Sequence, residues 1–199
     1  MERLAEELRA RGLKPYIIPA GGASPVGVLG YVEAAAELIE QIKAFGKSID
    51  YVVLADGTCA MHAGLLLGLR ALGVNDVRVV GVSVGKAKGA ARDVVKRLIS
   101  EASELLGIEN PVKDGDIIVI DDYVFGGYGN ITKEVVEAMK LAATKEAIIL
   151  DPVYTGKAFA GLIDLARNGY FPKKSRVVFI HSGGSPIVFQ YDEVVASLI

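Results

Sequence analysis

The residues best suited to chemistry lie together where a strand turns directly into a helix. The run 51–62 reads Tyr-Val-Val-Leu-Ala-Asp-Gly-Thr-Cys-Ala-Met-His and contains the single cysteine and one of the two histidines of the chain. A strand–turn–helix junction directs free backbone N–H groups and the positive end of a helix dipole at one point. We therefore expect this junction to hold an anion, a cofactor phosphate or an activated nucleophile.

Cys59 and His62 indicate one specific chemistry, that of a thiol hydrolase. Their spacing places both side chains on one face of a helix, with Cβ atoms roughly 5–6 Å apart. A helix N-terminus stabilises a thiolate and lowers the pKa of the thiol, so Cys59 is the candidate nucleophile and His62 the candidate base. Asp56 then orients His62 or caps the helix. A cysteine that is simply buried at a helix start explains Cys59 equally well.

Strands and helices alternate around this junction. Continuous apolar runs at 51–55 and 77–84 predict strands that are buried on both faces. Such alternation, with helices of ten or more residues, predicts a Rossmann-like, mainly parallel α/β sheet with helices on both faces. Glycine-rich loops at 126–129 and 182–185 follow strands, at the edge where open α/β sheets bind ligands. Further strands are predicted at 15–19, 116–122, 148–150 and 176–181, and helices at 2–11, 29–45, 59–72, 92–106, from 132 and at 157–168.

Composition and charge exclude several classes of protein. The 199 residues are 51% hydrophobic and 23% charged with a net charge of −2, which predicts a single α/β domain over 1–199 and no binding to nucleic acid or anionic membranes. One cysteine forms no internal disulfide and favours a cytoplasmic location, and no metal-ligand spacing is present. No apolar run reaches the length of a membrane span. Lys86, Lys88 and Arg92 are interpreted as a solvated face.

Five co-linear segments resemble one family of enzymes. They resemble the 1-aminocyclopropane-1-carboxylate deaminase / D-cysteine desulfhydrase family, which comprises pyridoxal-phosphate (PLP) enzymes of fold type II related to the tryptophan synthase β chain. The resemblance implies PLP as cofactor and a lyase or deaminase that converts small amino acids, such as D-cysteine or an aminocyclopropane acid, to an α-keto acid and ammonia. The segments are 19–31, the junction through 62–65, 123–129, 150–161 and 179–184.

The resemblance also implies roles for individual residues. Tyr154 matches a tyrosine that faces the cofactor and takes part in proton handling or attack. Ser182 matches a Ser/Thr near the pyridine nitrogen of PLP. Residues 1–19 correspond to a remnant of the family's smaller domain, and 20–199 to its larger domain. The run that cups the PLP phosphate corresponds to Gly57, Thr58, Ala60 and Met61.

Two motifs of the family do not occur in this sequence. These are the Asn-Lys motif that carries the Schiff-base lysine and a Ser-Asn-His/Gln loop for the substrate carboxylate. Because PLP catalysis needs the lysine to hold the cofactor and move protons, the chain is expected to correspond to the C-terminal portion of a family member. It is then inactive in the family reaction alone. We expect a homo-oligomer or a complementing N-terminal chain.

The phosphate loop departs from the family pattern and leaves three functions open. Asp56 is expected to set a carboxylate beside the phosphate, Cys59 and Ala60 replace glycines, and Met61 removes a hydroxyl donor. The first function is that of a PLP-family lyase. The second is an engineered or remodelled esterase-like hydrolase with Cys59 as nucleophile and His62 as base. The third is a non-catalytic scaffold.

Overall fold

Four parallel strands form one sheet in the order β3-β2-β1-β4. The computed structural model describes residues 1–198. The longest strands, β1 and β2, pair from Tyr51 with Arg78 to Asp56 with Ser83. In chain order the elements are α1 (Glu2–Ala10), α2 (Pro25–Ala44), β1 (Tyr51–Asp56), α3 (Ala60–Ala71), β2 (Arg78–Ser83), α4 (Lys88–Leu106), β3 (Ile118–Ile120), α5 (Lys133–Glu146), α6 (Thr155–Arg167), β4 (Val177–Phe179) and α7 (Asp192–Leu198).

Helices cover both faces of the sheet, as the sequence predicts. Successive residues of a strand point to opposite faces, and β1 shows this with two separate apolar clusters. Val52 and Leu54 pack in the cluster that also contains the buried residues of α2, α3 and α4. Val53 and Ala55 pack in the cluster that contains Ala158 of α6. The continuous apolar run of β1 therefore reflects burial on both faces, and the α/β fold is confirmed.

Helices α2 and α3 approach each other closely because glycines lie at their contact. A Cβ atom on Gly64 would lie 2.4 Å from the Cβ of Tyr31, and one on Gly68 would lie 2.7 Å from the Cβ of Ala35. These distances are shorter than any van der Waals contact between carbon atoms. The close packing fixes the axis of α3, and with it the position of the α3 N-terminus at the end of β1.

The strand predicted at 15–19 is absent, and the segment is extended coil. Pro15 and Pro19 have no N–H group to donate to a neighbouring strand. Tyr16 and Ile18 are 77% and 67% exposed, so no sheet neighbour covers the segment. The apolar residues that suggested a strand lie on the surface instead.

The strand predicted at 148–150 is also wrong. Ala147 adopts a left-handed conformation, with φ 56°, and ends α5. The Ile148 N–H then donates to the Ala142 carbonyl, and the Ile149 carbonyl accepts hydrogen bonds from the side chains of His181 and Ser185. The Ile148 N–H and the Ile149 carbonyl are therefore bonded to a helix end and to side chains, and are not free to pair with a neighbouring strand.

Several helices begin earlier than predicted. Helix α2 starts at Pro25 rather than at 29, because the Ser24 side chain accepts a hydrogen bond from the Gly27 N–H at 3.1 Å and proline suits the first helical position. Helix α6 starts at Thr155 rather than at 157. Within residues 1–198, no helix combines the length and the apolar character that crossing a membrane requires.

Candidate cofactor site

A cavity of about 590 Å³ lies at the carboxyl ends of β1, β2 and β4. This is the edge at which open parallel sheets bind ligands, and the volume lies in the usual range for small-molecule sites. The structure brings together there all but one of the site residues predicted from the sequence. The cavity is lined by Gly57, Thr58, Cys59, Ala60, Met61, Tyr154 and Ser182; the exception is His62, which is completely buried.

The N-terminus of α3 forms one wall of this cavity. In the described part of the chain, the N-cap residue Cys59 makes no side-chain capping hydrogen bond to the helix. The first N–H groups of an α-helix have no partner inside the helix, and together with the helix dipole they favour an anion. The junction therefore has the geometry of an anion site, as its strand–turn–helix pattern predicts.

The Cys59 thiol is not activated. Its Sγ lies 3.8 Å from the Gly57 carbonyl oxygen, and the side chain is 3% exposed. Burial raises the pKa of the Cys59 thiol well above its usual range, and the nearby Asp56 carboxylate raises this pKa further. The expectation of a lowered thiol pKa was therefore wrong, because burial and a neighbouring negative charge outweigh the helix dipole.

His62 has a different partner from the one that a thiol hydrolase needs. Its Nδ1 lies 2.9 Å from Oδ2 of Asp56, and both side chains are buried. Its Nε2 has no hydrogen-bond partner among the described residues, so the structure does not join His62 to Cys59. A Cβ on Gly81 would lie 2.5 Å from His62 Nδ1 and 2.6 Å from Asp56 Oδ2, so glycine in β2 makes room for this pair.

The Asp56–His62 pair also decides among the roles expected for Asp56. The sequence left several roles open for Asp56, which were to lie beside the bound phosphate, to orient His62 or to cap the helix. The Asp56 side chain bonds His62 in the interior, and Asp56 is absent from the described residues that line the cavity. The anion site is therefore lined without that carboxylate.

Two tyrosines from different segments meet in the lining of the cavity. Tyr128, in the loop after β3, and Tyr154, the N-cap of α6, are joined by a hydrogen bond between their phenol oxygens. The hydrogen bond between the two phenols, together with burial, raises the pKa of Tyr154 to about 12. Oδ2 of the buried Asp151 accepts a hydrogen bond from the Tyr154 N–H at 2.8 Å. Tyr154 is thus held in place through its backbone and remains protonated at neutral pH.

Lys86 was wrongly assigned to a solvated face. Its side chain lines the cavity, and its Nζ donates a hydrogen bond to the Gly57 carbonyl. Ser83 fixes the turn, because its Oγ donates to the Lys86 carbonyl at 2.7 Å and accepts from the Lys86 N–H at 3.0 Å. Among the lining residues that the structure describes, Lys86 has the only charged side chain. Its position just after the β2 run was the signal that could have identified it.

The fold and the site define a class of protein. A family model described as "Pyridoxal-phosphate dependent enzyme" matches residues 1–183, and the chain belongs to this family. It is similar to a solved structure described as an "ACC deaminase homologue", with a TM-score of 0.89 and 45% identity over 100% of this chain and 58% of that one.

Two relatives carry the name of a particular enzyme. A 1-aminocyclopropane-1-carboxylate deaminase of Rhizobium leguminosarum bv. viciae is 38% identical over 96% of this chain and 56% of its own length. A protein of Pyrococcus abyssi, provisionally named for the same enzyme, is 48% identical over 100% of this chain and 58% of its own length. The chain thus spans somewhat more than half the length of these relatives.

Proposed function

We propose that this chain provides the phosphate-binding side of a PLP site and acts as part of a lyase that deaminates small amino acids. The observation that supports this most is the cavity at the carboxyl edge of the sheet. It gathers the four residues that the family resemblance assigns to the phosphate loop against the uncapped N-terminus of α3. The names of the relatives give the reaction class.

The donors of the cavity fit a phosphate-bearing cofactor. The N–H groups at the start of α3 and the Thr58 hydroxyl supply hydrogen bonds, and the Lys86 ammonium supplies a positive charge. The Ser182 hydroxyl lines the same cavity and is assigned to the pyridine nitrogen. Charge-assisted hydrogen bonds of this kind are roughly twice as strong as neutral ones. PLP, when bound, supplies an electron sink for carbanion chemistry.

The tyrosine pair is assigned to proton handling. A phenol is protonated at neutral pH, and the phenol–phenol hydrogen bond, which with burial raises the pKa of Tyr154 to about 12, holds that proton more tightly. The Tyr154 phenol lines the cavity and is proposed to donate its proton to a substrate that takes the place of Tyr128 as its hydrogen-bond partner.

The tethering lysine is proposed to come from a different polypeptide segment. The family's lysine motif does not occur in this sequence. Of the lysines that the structure describes, only Lys86 lines the cavity, and it bonds Gly57 in the phosphate loop. A segment outside these 199 residues would then close the cavity and supply the amine, so these residues alone would be inactive.

Equilibrium dialysis against PLP tests the cofactor site. We expect saturable binding that inorganic phosphate reduces by competition, because the phosphate supplies most of the interaction with α3 and Lys86. Pyridoxal, which lacks the phosphate, is the matched control and should bind much more weakly. Equal binding of PLP and pyridoxal would show reaction of the aldehyde with surface lysines, and would contradict the proposal.

Complementation tests the reaction. The purified chain is mixed with the N-terminal segment of a relative that carries the lysine motif, and α-keto acid release from 1-aminocyclopropane-1-carboxylate or D-cysteine is measured. We expect release from the mixture and none from either part alone, and a large loss when the chain carries Tyr154→Phe. Release from the chain alone at the rate of the mixture would refute the role of a second segment.

A further inference from the structure

Lys157 is a charged residue in the interior that the proposed chemistry does not use. It lies in the first turn of α6, and its side chain is completely buried. Its Nζ donates to three backbone carbonyl oxygens, those of Val84 at 3.4 Å, Val124 at 2.8 Å and Gly127 at 2.6 Å. An ammonium group has three protons to donate, so the three carbonyls satisfy it completely.

Burying the Lys157 ammonium costs free energy of folding, so a functional role is the natural reason for its presence. Burial lowers the pKa of Lys157, and in residues 1–198 no carboxylate forms an ion pair with it. Moving a charge out of water costs several kcal/mol, and well-packed apolar groups often replace buried ions without loss of stability. Fold stability alone therefore does not account for a lysine at this position.

The three carbonyls belong to segments that form the cavity walls. Val84 directly follows β2 and is itself part of the cavity lining. Val124 and Gly127 lie in the loop that carries Tyr128. Tyr154 lies three residues before Lys157 at the start of α6. One ammonium thus joins α6, the end of β2 and the Tyr128 loop.

Besides Lys157, the Tyr123 hydroxyl links the segment that carries Tyr128 to α6 by donating to Asp164 at 2.7 Å, and the Asn130 side chain donates to the Phe125 carbonyl within the loop. Gly126, Gly127 and Gly129 all adopt positive φ angles, which glycine reaches at no steric cost but with large conformational freedom in the unfolded loop. Tyr128 itself packs against Gly85, where an added Cβ would lie 2.9 Å from the Tyr128 Cβ. The hydrogen bonds from Lys157 link α6 to the backbone at Val124 and Gly127, which lie closer in sequence to Tyr128 than the Tyr123 contact does.

We propose that Lys157 is a positioning residue whose ammonium holds the loop 124–127 against α6, so that Tyr128 reaches the Tyr154 phenol at the cavity wall. It does not touch the cofactor. The consequence for catalysis rests on the proposed function, but the positioning itself is measured without PLP. The buried Lys157 ammonium thus aligns the two phenol groups.

The test compares Lys157→Met, which keeps the length of the side chain but removes its donors, with Arg167→Met, which removes an exposed cation from the same helix. Hydrogen exchange is measured over 124–130, and Tyr154 is titrated by ultraviolet difference against the same proteins with Tyr154→Phe. We expect exchange to accelerate about tenfold or more only in Lys157→Met. The pKa of Tyr154 should fall from about 12 towards its ordinary value of 10.0.

Chemical rescue separates positioning from packing. In Lys157→Ala, added ethylammonium should restore the slow exchange and the raised Tyr154 pKa, whereas ethanol at the same concentration should not. Rescue by both compounds would show that volume rather than charge is needed, and would overturn the proposal. Unchanged exchange and an unchanged Tyr154 titration in Lys157→Met would overturn it as well.

A second variant applies even if the lysine variants do not fold. Tyr128→Phe keeps Lys157 and its three carbonyls but removes the phenol–phenol hydrogen bond. We expect the loop to stay as protected from exchange as in the parent protein. Loss of protection in Tyr128→Phe would show that the tyrosine pair, not Lys157, holds the loop. Failure of PLP binding in the parent protein would contradict the proposed function and leave these results unaffected.

Discussion

Cys59 shows how a single residue serves backbone geometry rather than reactivity. It adopts φ 73° at the N-cap of α3, a left-handed conformation that costs a non-glycine residue on the order of 1–3 kcal/mol. Its side chain joins the buried cluster that contains residues of α2, α3 and α4. Burial of the thiol offsets part of that strain, and the turn still presents its N–H groups to the cavity.

The low reactivity of Cys59 is directly testable. Because burial and Asp56 raise the pKa of the thiol, the thiolate that reacts with iodoacetamide is scarce in the native protein. We predict alkylation at pH 8 that is much slower in the folded protein than in denaturant, and no burst with an activated ester. Mass spectrometry follows the first and absorbance the second. Alkylation faster in the folded protein would restore the hydrolase hypothesis.

Lys86 is predicted to contribute to binding through its charge. Lys86→Met should weaken PLP binding about tenfold, or ~1.4 kcal/mol, which is close to the lower end of the range for one hydrogen bond to a charged group. Lys88→Met, which removes an exposed lysine two residues later, is the matched control and should leave the dissociation constant unchanged. Calorimetry measures both. Equal effects of the two substitutions would indicate a general charge effect without a specific contact.

At the scale of elements, the contact between α2 and α3 determines where the anion site lies. Gly64 and Gly68 allow the two helices to approach, and the α3 N-terminus then lies at the end of β1. The cavity edge depends equally on the short loops that follow β1 and β2, since these carry Gly57 and Lys86. The positions of the donors thus follow from helix packing and strand ends.

We predict opposite effects for alanine at two helical glycines. Gly68→Ala should destabilise the protein by about 1–3 kcal/mol, because its Cβ would lie 2.7 Å from the Ala35 Cβ and from the Val32 carbonyl oxygen. Gly30→Ala in α2 meets nothing within 4 Å and should stabilise it by about 0.5–1 kcal/mol through helix propensity. Urea denaturation measures both. Stabilisation by Gly68→Ala would refute the close contact.

At the scale of the whole molecule, the half-buried phenol of Tyr123 makes stability depend on alkaline pH. Burial raises the pKa of Tyr123 above its ordinary value of 10.0, and the hydrogen bond from its hydroxyl to Asp164 at 2.7 Å raises it further. The unfolded chain therefore releases this proton at a lower pH than the folded protein does. The stability that Tyr123 contributes is fully present below pH 10 and is lost as the pH rises above it.

Comparison with Tyr123→Phe isolates this contribution. We predict that the parent protein loses free energy of unfolding between pH 9 and 11 more steeply than Tyr123→Phe does, because only the parent has the Tyr123 phenol to titrate. Lys157, whose pKa is lowered, gives stability the opposite pH dependence. Because both proteins contain Lys157, its contribution cancels in the difference between them. Guanidinium denaturation at a series of fixed pH values measures the free energy of unfolding of each protein. Parallel pH dependences would contradict the assignment.

The sequence predicted the parallel sheet and seven of the residues that line its cavity, and missed what depends on side-chain direction. The alternation of apolar runs located β1 and β2 because such strands are buried on both faces. It failed at 15–19 and 148–150, where apolar residues are exposed or bonded to a distant loop. The Asp56–His62 contact was one of the roles expected for Asp56, but no spacing rule chose among those roles or revealed that the carboxylate lies beside Gly81 in the interior.

A crystal structure of the protein soaked with PLP would locate the cofactor. We predict density for the phosphate at the N–H groups that begin α3, within hydrogen-bond distance of Lys86 Nζ, with the ring directed towards Ser182 and Tyr154. Density for PLP elsewhere, or a covalent bond from PLP to a lysine of this same chain in that cavity, would contradict both the phosphate site and the proposed origin of the tethering lysine.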